Sequence, residues 1–266
     1  SLLVTGVQTC ALPICRGWAQ YGFNLANLEI GVGGEIGHTT LWRHGLWRKG
    51  LFPDDSQGDS EKQNYLTYKV KANFRYQLSA SHTFDANITY MQDAPAFQYA
   101  FVSPRTRNAA TPGVGTEKVF GVDASYNFRW GDFRARVSGY YTTFRDQTKV
   151  ISYYDDVEAT YSNFAMSGID KRHFGLELAA SVPIYEGLAL KGALSWGQYT
   201  YNSNPDYIQL QDNSGEIKNQ GKVYWKNKRV ESTPQLAANI GLSYRSRNNI
   251  FISLDGNFYD NMYLSM

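Results

Sequence analysis

Hydrophobic and polar residues alternate with a period of two along almost the whole chain from residue 16 onward. In KVFGVDASYNFRW, at 118–130, every second residue from Phe120 to Trp130 is apolar, and the residues between them are mostly polar or small. FRARVSGYYTTF, at 133–144, repeats the pattern after the dipeptide Gly131-Asp132. Alternation of this kind predicts β-strands with one apolar face. A two-residue loop containing glycine predicts that these two strands form a tight hairpin.

The same pattern recurs along the rest of the chain and predicts ten strands. Turn residues such as Gly, Asn, Asp, Ser and Pro separate the alternating stretches. The predicted strands cover about 16–24, 28–43, 65–79, 83–91, 118–130, 133–144, 173–182, 188–196, 236–245 and 250–258.

The connections between these strands alternate in length. Short turns are predicted near 25–27, 79–82, 131–132, 184–187 and 247–249, and long connections near 44–62, 96–116, 149–168 and 203–232. Short turns at one end of a sheet and long loops at the other are typical of a transmembrane β-barrel, with the turns in the periplasm and the loops outside the cell. Long loops of this kind are uncommon within a compact soluble domain.

Strand length and aromatic content favour a membrane barrel over a soluble β-sandwich, which would also alternate. The predicted strands run over about 10–14 residues, longer than the usual strand of about 5–6 residues, and their ends are rich in aromatic residues, as at membrane interfaces. Aromatic residues make up 15% of the chain and 20 of them are Tyr. The fold class is therefore predicted to be all-β, an antiparallel up-and-down transmembrane barrel.

Overall hydropathy and charge agree with this fold and exclude other classes. The mean hydropathy of -0.44 looks soluble, but averaging erases the signal of strands in which only every second residue is apolar. No apolar stretch is long enough for a transmembrane helix. The net charge of +2 is too small to indicate a nucleic-acid partner.

Several longer stretches resemble a known family. YMQDAPAFQYAFVSPRTRN (90–108), RARVSGYYTTFRDQT (134–148), SGIDKRHFGLELAASV (167–182) and TPQLAANIGLSYRS (233–246) resemble the C-terminal half of TonB-dependent outer-membrane receptors of Gram-negative bacteria. They are most similar to the large receptors that often carry an N-terminal carboxypeptidase-regulatory-like domain. Within the third stretch, Arg172, Gly175 and Glu177 reproduce the Arg-x-x-Gly-x-Glu pattern that recurs in barrel strands of this family.

The resemblance implies active import across the outer membrane. Such receptors close about 22 strands around a plug, bind a scarce nutrient (a glycan, siderophore or peptide) outside the cell and use energy from the TonB system, which acts through the plug. It also implies contact with outer-membrane lipid and suggests a surface lipoprotein as a further partner. No cofactor and no enzymatic activity are expected. We expect residues 16–266 to be a partial barrel of about ten strands that lacks the plug and the first and last strands.

Two other functions stay open on the sequence. A passive porin-like or structural barrel would show the same strands and loops. A barrel enzyme would need a catalytic cluster, and none is predicted. The adjacent carboxylates Asp54-Asp55 and Asp155-Asp156 fall in predicted loops, where solvated acids or loop calcium ligands are the simpler interpretation.

The first fifteen residues, SLLVTGVQTCALPIC, contain both cysteines, Cys10 and Cys15, and no charge. A lipoprotein signal would need a basic residue before its apolar stretch. A metal or redox pair would need further ligands, and the four histidines lie far away in the strand pattern. Residues 4–14 resemble the translation of a common short-read sequencing adapter over eleven consecutive residues. We therefore expect residues 1–15 to be a non-native segment without a defined place in the barrel.

Two groups of side chains are candidates for function, and no metal ligands are predicted. Aromatic rings in the long loops suit a ring-bearing solute, and nearby arginines suit an anionic ligand or headgroup; packing and pairing with loop acids are the alternatives. The ligand-binding candidates are Trp42, Trp47, Phe97, Tyr99, Phe101, Arg105, Arg107, Tyr153, Tyr154, Tyr207, Tyr224 and Trp225. The residues predicted to face the lumen and the plug are Lys69, Lys71, Arg75, Arg129, Arg134, Arg136, Glu177 and Lys191.

Overall fold

The computed structural model of the chain describes residues 8–11, 14–50, 52–157, 159–211 and 216–264, and these residues are almost entirely β-strand. The only helix in this part of the chain is the single turn α1 at Phe97–Ala100. The strands are β1 (Gln8–Ala11), β2 (Ile14–Leu25), β3 (Leu28–Gly45), β4 (Gly58–Asp59), β5 (Gln63–Ser79), β6 (His82–Asp93), β7 (Glu117–Trp130), β8 (Phe133–Asp155), β9 (Thr160–Tyr185), β10 (Leu188–Tyr201), β11 (Asp206–Gln211), β12 (Ile217–Lys222), β13 (Leu236–Arg245) and β14 (Phe251–Asp260).

All fourteen strands found in the described residues belong to one antiparallel sheet. Its main path runs through β3, β5, β6, β7, β8, β9, β10, β13 and β14, with β2 along the other side of β3. β1 and β2 both pair with β3, and their residues keep the same register along it, so together they occupy one strand position in the sheet. β4 also pairs with β3, and the hairpin β11–β12 adds to β9. Each long strand therefore pairs with the next one along the chain, as the up-and-down prediction requires.

The ten predicted strands are confirmed, and so are the five short turns between them. The hairpin between β7 and β8 illustrates why the prediction works. Gly131 has a φ of +58°, whereas Asp132 is not among the residues with positive φ. A two-residue hairpin loop of type II′ needs a positive φ at its first position, which glycine adopts without steric cost.

The long loop predicted at 149–168 is wrong. β8 continues to Asp155 and β9 begins at Thr160, so the two strands stay paired far beyond the length needed to cross a membrane. The register shifts between Phe144 and Lys149, where Asp146 has a φ of +59°. A β-bulge of this kind bends and twists a strand without ending the ladder, and the β-branched and aromatic residues beyond it favour extended backbone.

The expectation that residues 1–15 lack a defined place in the sheet is also wrong for the part that the structure describes. The backbone of Gln8–Ala11 pairs with 42–45 of β3, and residues 14–15 begin β2, which pairs with the same strand. An open strand edge offers backbone N–H and C=O groups to any neighbouring segment, whatever its side chains. Pairing therefore does not test where the segment came from, and residues 1–7, 12 and 13 lie outside the described residues.

One face of the sheet is apolar and exposed between two rows of aromatic rings. Between the rows, Val70, Ile88, Leu178 and Ile240 are about half exposed. The row nearer the long loops, here called the outer belt, contains Tyr68, Tyr90, Phe120, Tyr141, Phe174 and Trp196, and the row nearer the short turns contains Tyr76, Phe84, Tyr126 and Tyr244. The eight residue steps from Tyr68 to Tyr76 span about 26 Å along the strand, close to the height of the apolar band of a membrane barrel.

The opposite face is polar, and cross-strand register keeps it continuous from β3 to β14. Arg75 pairs with Asp85 at 2.6 Å, Asn127 donates to the same carboxylate at 2.7 Å, and Asn87 donates to Asp123 at 2.9 Å. β2 and β14 each pair on one side only within the described chain, so the sheet is open there. The helices of the described chain include none with the length and hydrophobicity of a transmembrane helix.

Candidate functional site

The first two long loops pack together around the buried side chain of Arg43, which projects from the outer end of β3 and is 2% exposed. Its Nε donates to the Pro104 carbonyl at 2.7 Å, and its Nη1 donates to the Ser56 carbonyl at 2.8 Å and to the Asn108 side chain. Its backbone N–H donates to Ser60 Oγ at 2.9 Å. One guanidinium thus joins the loop after β3 to the loop after β6.

A small hydrophobic cluster supports the same junction from the strand ends. Leu41, Tyr65, Ala100 and Phe101 are all buried, and the Phe97 ring lies 5.3 Å from that of Phe101. Burial lowers the pKa of the Arg43 guanidinium, an effect that the nearby Asp55 carboxylate partly offsets. A guanidinium titrates far above neutral pH, so Arg43 remains charged. Both loops are therefore held in one arrangement next to the polar face.

The outer halves of β8 and β9 form a second structure with the hairpin β11–β12. The rings of Phe164 and Tyr207 stack with centroids 4.6 Å apart, and Gln209 donates to the Tyr153 hydroxyl at 2.7 Å. Tyr154 and Tyr161 pack edge to face nearer the tip of the extension. This four-stranded sheet, here called the outer platform, continues the barrel wall beyond the outer belt and carries Tyr153, Tyr154 and Tyr207 of the predicted ligand-binding aromatics.

The loop at 223–232 packs against the base of the outer platform through a hydrophobic cluster and a charged pair. The cluster joins Met166, Ile169, Tyr201, Trp225 and Val230. The Trp225 ring lies 4.6 Å from that of Tyr201. Glu231 also fixes the loop to these strands. Its carboxylate accepts a hydrogen bond from the Tyr201 hydroxyl at 2.5 Å and forms an ion pair with Lys149 at 3.0 Å.

Burial and pairing shift the pKa values of this group. Burial raises the pKa of the Tyr201 hydroxyl, and the hydrogen bond to Glu231 adds to the rise. Burial alone would raise the pKa of Glu231, but hydrogen bonds from Tyr201 and Lys149 more than offset it and hold that pKa below its ordinary value. Burial lowers the pKa of Lys171, whose Nζ lies 5.8 Å from the Tyr201 ring centroid, and raises the pKa of Glu117.

The contact between Glu231 and the outer platform is expected to weaken in acid. The folded pKa of Glu231 lies below its ordinary value of 4.5, so its stabilising effect is complete above that value and is lost as pH falls through the folded pKa. Titration of the protein from about pH 7 to about pH 3 should expose Trp225 and shift its fluorescence to longer wavelength. The emission of Trp225 is obtained by subtracting the fluorescence spectrum of the Trp225→Phe variant from that of the native protein. Glu231→Gln should remove this pH dependence, and an unchanged titration in that variant would contradict the assignment.

The structure separates the predicted ligand-binding aromatics into exposed and buried sets. Trp47, Tyr154 and Tyr224 are more than half exposed, and Tyr153 is 39% exposed. Phe101 and Trp225 are buried in the two clusters described above, so either could touch a ligand only if its loop opened. The intermediate residues are Trp42, Phe97, Tyr99 and Tyr207. Lys62 places its ammonium 5.0 Å from the Trp42 ring centroid.

The two predicted arginines have different surroundings. Arg105 is exposed. Arg107 forms an ion pair with Asp55 at 3.2 Å, and its guanidinium lies 4.7 Å from the Phe52 ring centroid. Arg107 thus has the loop acid that the alternative interpretation expected, whereas the anion-binding role of Arg105 stays a prediction.

Cross-strand register places all eight predicted lumen residues on the polar face. Lys69 pairs with Asp93 at 3.2 Å, and Arg75 pairs with Asp85. Four of the other cations, Arg129, Arg134, Arg136 and Lys191, gather near the short turns, where they line a cavity of about 590 Å³. No carboxylate is among the described residues that line this cavity. Contact of these residues with a plug stays a prediction.

Arg43, Glu231 and the platform residues Tyr161 and Phe164 were missed on the sequence. Tyr161 and Phe164 fall in the predicted loop at 149–168, and TYSNFAMS, at 160–167, lacks the alternation of apolar and polar residues that would have indicated a strand. Arg43 and Glu231 carry no local signal, because their partners are between 13 and 82 residues away. In the described part of the chain no three residues among His, Cys, Asp and Glu come together as metal ligands, and Cys15 is exposed and free.

Residues 16–264 match the family described as TonB dependent receptor-like, beta-barrel. The match begins two residues after the end of the segment 4–14 that resembles an adapter. No curated protein matches the chain by sequence. Among solved structures, the copper transporter OprC is similar in fold, with 15% identity, a TM-score of 0.66, and coverage of 90% of this chain and 33% of that one.

The FrpB iron transporter from Neisseria meningitidis (F3-3 variant) is also similar, with 14% identity, a TM-score of 0.59, and coverage of 94% of this chain and 34% of that one. This chain therefore spans about a third of the length of the two transporters. At these identities the likeness shows the fold alone.

Proposed function

Because this chain belongs to the family of TonB-dependent receptor β-barrels, we propose that it forms part of the wall of an outer-membrane receptor that imports a scarce nutrient with energy from the TonB system. The family match over residues 16–264 carries the proposal. The family is one of outer-membrane transport proteins and not of enzymes, in line with the prediction from the sequence. The names of the two structural neighbours, a copper and an iron transporter, agree with transport as the class of function.

The arrangement of polar and apolar surface supports a barrel wall with a filled interior. Exposed apolar side chains between two aromatic rows suit contact with lipid. The polar face instead carries four clustered cations near the short turns. An acidic surface on a plug would complement them, because charges of one sign gathered in a cavity repel one another until they are paired. The open edges at β2 and β14 support the proposal that residues 16–266 are part of a larger barrel.

The nutrient is proposed to bind at the long-loop end of the sheet, where the loop after β6, which Arg43 holds, contacts β8 and β9 next to the outer platform. The exposed rings Trp47, Tyr153, Tyr154 and Tyr224 suit the ring faces of a glycan or of an aromatic siderophore, and Arg105 suits an anionic group. A surface lipoprotein partner stays a prediction.

Energy-dependent uptake separates this proposal from the passive alternative. Cells that produce the complete receptor as their only route for a labelled nutrient are expected to accumulate it, and deletion of the TonB system should abolish that accumulation. A porin-like barrel would instead admit the solute at the same rate in both strains. Equal rates, together with ion conductance by the purified protein in planar bilayers, would favour the passive barrel and contradict the proposal.

A further inference from the structure

Three cations lie on the outward, lipid-facing side of the sheet, directly beyond the outer belt. Lys118 precedes Phe120 by two residues on β7, and Arg172 precedes Phe174 by two residues on β9. Arg145 follows Tyr141 by four residues on β8. Because side chains two or four residues apart in a strand project from the same face, all three share the face of the aromatic rings.

Register brings these cations together. Lys118 is the direct cross-strand neighbour of Arg145, and Arg172 is the neighbour of Thr143, one step along the same face from Arg145. Directly opposed residues in an antiparallel sheet have Cβ atoms about 5 Å apart. Three positive side chains therefore form one patch of neighbours across β7, β8 and β9.

Nearby acids neutralise this patch only in part. Lys118 Nζ forms an ion pair with Asp146 at 2.7 Å. The Asp170 carboxylate accepts a hydrogen bond from the Asp146 backbone N–H at 3.0 Å. The Arg145 side chain is exposed and, within the described chain, has no hydrogen-bond or ion-pair partner. The Nε of Arg172 is buried and also lacks a partner there. The Arg145 guanidinium thus remains available for an anion.

The patch borders a cavity of about 370 Å³. Lys118 and Arg145 form its side toward the long loops, and the rings of Tyr90, Phe120 and Tyr141 form its side toward the apolar band. Thr143 also lines the cavity, directly opposite Phe120. A ligand that fills this cavity must be anionic at one end and apolar at the other. It must also approach from the bilayer, because the apolar side of the cavity belongs to the outer belt.

We propose that this cavity binds the phosphorylated headgroup of an outer-leaflet lipid. The phosphate would lie against Arg145 and Lys118, and the first part of the acyl region would lie along Phe120 and Tyr141. Lys and Arg clusters next to the apolar zone of a membrane protein bind anionic headgroups, and guanidinium–phosphate hydrogen bonds are charge-assisted and strong. The site lies on the outside of the wall, so it is separate from the nutrient path and does not rest on TonB coupling.

Native mass spectrometry of the complete receptor with bisphosphorylated lipid A tests the proposal. The receptor is expected to retain this lipid more tightly than dephosphorylated lipid A. The double variant Lys118→Gln/Arg145→Gln should weaken retention of the phosphorylated lipid about tenfold or more, as expected for the loss of charged hydrogen bonds. Arg145→Gln alone should weaken it about fivefold without affecting folding, because this side chain is exposed and has no partner to lose.

The matched control is Arg129→Gln/Arg134→Gln. This pair is also a direct cross-strand pair on β7 and β8 and also loses two positive charges, but it lies on the opposite face. It should leave lipid retention unchanged. Equal retention in the native receptor, Arg145→Gln and the control would overturn the proposal. Binding of inorganic phosphate as tight as that of the phosphorylated lipid would also overturn it, because the site would then recognise a free anion.

Discussion

Replacement of Arg43 by methionine is expected to release the two loops that it joins. The change removes the three side-chain hydrogen bonds to Ser56, Pro104 and Asn108, each of which contributes about 1.5–3 kcal/mol when the donor is charged. The two backbone carbonyls would remain in a largely buried junction without that donor. We expect the free energy of local opening to fall by about 3–5 kcal/mol, although the strands themselves should remain folded.

Hydrogen exchange on the complete receptor measures this effect at defined amides. The N–H of Asn108 donates to Asp55 and that of Thr111 donates to Ala100, and both should exchange about a hundredfold faster or more in Arg43→Met. Arg48→Met is the matched control, because Arg48 lies in the same loop but is exposed, and its only partners among the described residues are Asp54 and the Pro53 carbonyl. An exposed pair contributes about 1 kcal/mol or less. Equal exchange in the two variants would show that Arg43 does not hold the loops.

Replacement of Gly175 by alanine is expected to destabilise the barrel wall. Gly175 lies between Tyr140 on β8 and Gly197 on β10. The Tyr140 and Tyr199 hydroxyls hydrogen-bond at 2.5 Å. A methyl group at Gly175 would lie 2.6 Å from the Tyr140 oxygen and 2.5 Å from the Trp196 backbone carbonyl. Relief of such a clash costs about 1–3 kcal/mol, and loss of the hydroxyl pair adds about 1 kcal/mol.

Gly121→Ala provides the comparison, because Gly121 also lies on the polar face of a central strand. Its added methyl group would meet Thr142 Oγ1 at 3.6 Å, an ordinary contact. Denaturant unfolding of both variants in detergent should show a lower midpoint for Gly175→Ala and a nearly unchanged midpoint for Gly121→Ala. Similar midpoints would contradict the role assigned to Gly175. Tyr140→Ala in the Gly175→Ala background should recover part of the loss, because it removes one of the two clashing groups.

The Arg-x-x-Gly-x-Glu pattern marked this site in the sequence, and the structure supplies a physical reason for two of its members. Gly175 leaves room for the Tyr140 ring, and Arg172 belongs to the outward cationic patch. Glu177 lies on the polar face, paired in register with Ser138 and Ser195. The resemblance alone did not reveal these neighbours, because they are residues of β8 and β10 that lie at least 18 residues away in sequence.

By itself, the sequence determined the strands, their order and the two faces of the sheet. Alternation with a period of two follows directly from the geometry of an extended chain, and a short turn forces consecutive strands to pair. Both are local properties, so β5 to β7, the first part of β8 and the hairpin turns could be predicted residue by residue. The eight lumen candidates share the polar face for the same reason.

Only the tertiary structure decided what happens beyond the membrane-spanning part. There β8 and β9 continue as the outer platform. Phe101 and Trp225 are buried, whereas Tyr154 and Tyr224 remain exposed. Arg43 and Glu231 are the residues that hold the loops. Local sequence cannot specify these outcomes, because each depends on contacts between segments whose distance is fixed only when the whole sheet has formed. The outward patch of Lys118, Arg145 and Arg172 has the same origin, since three separate strands must be in register before these charges become neighbours.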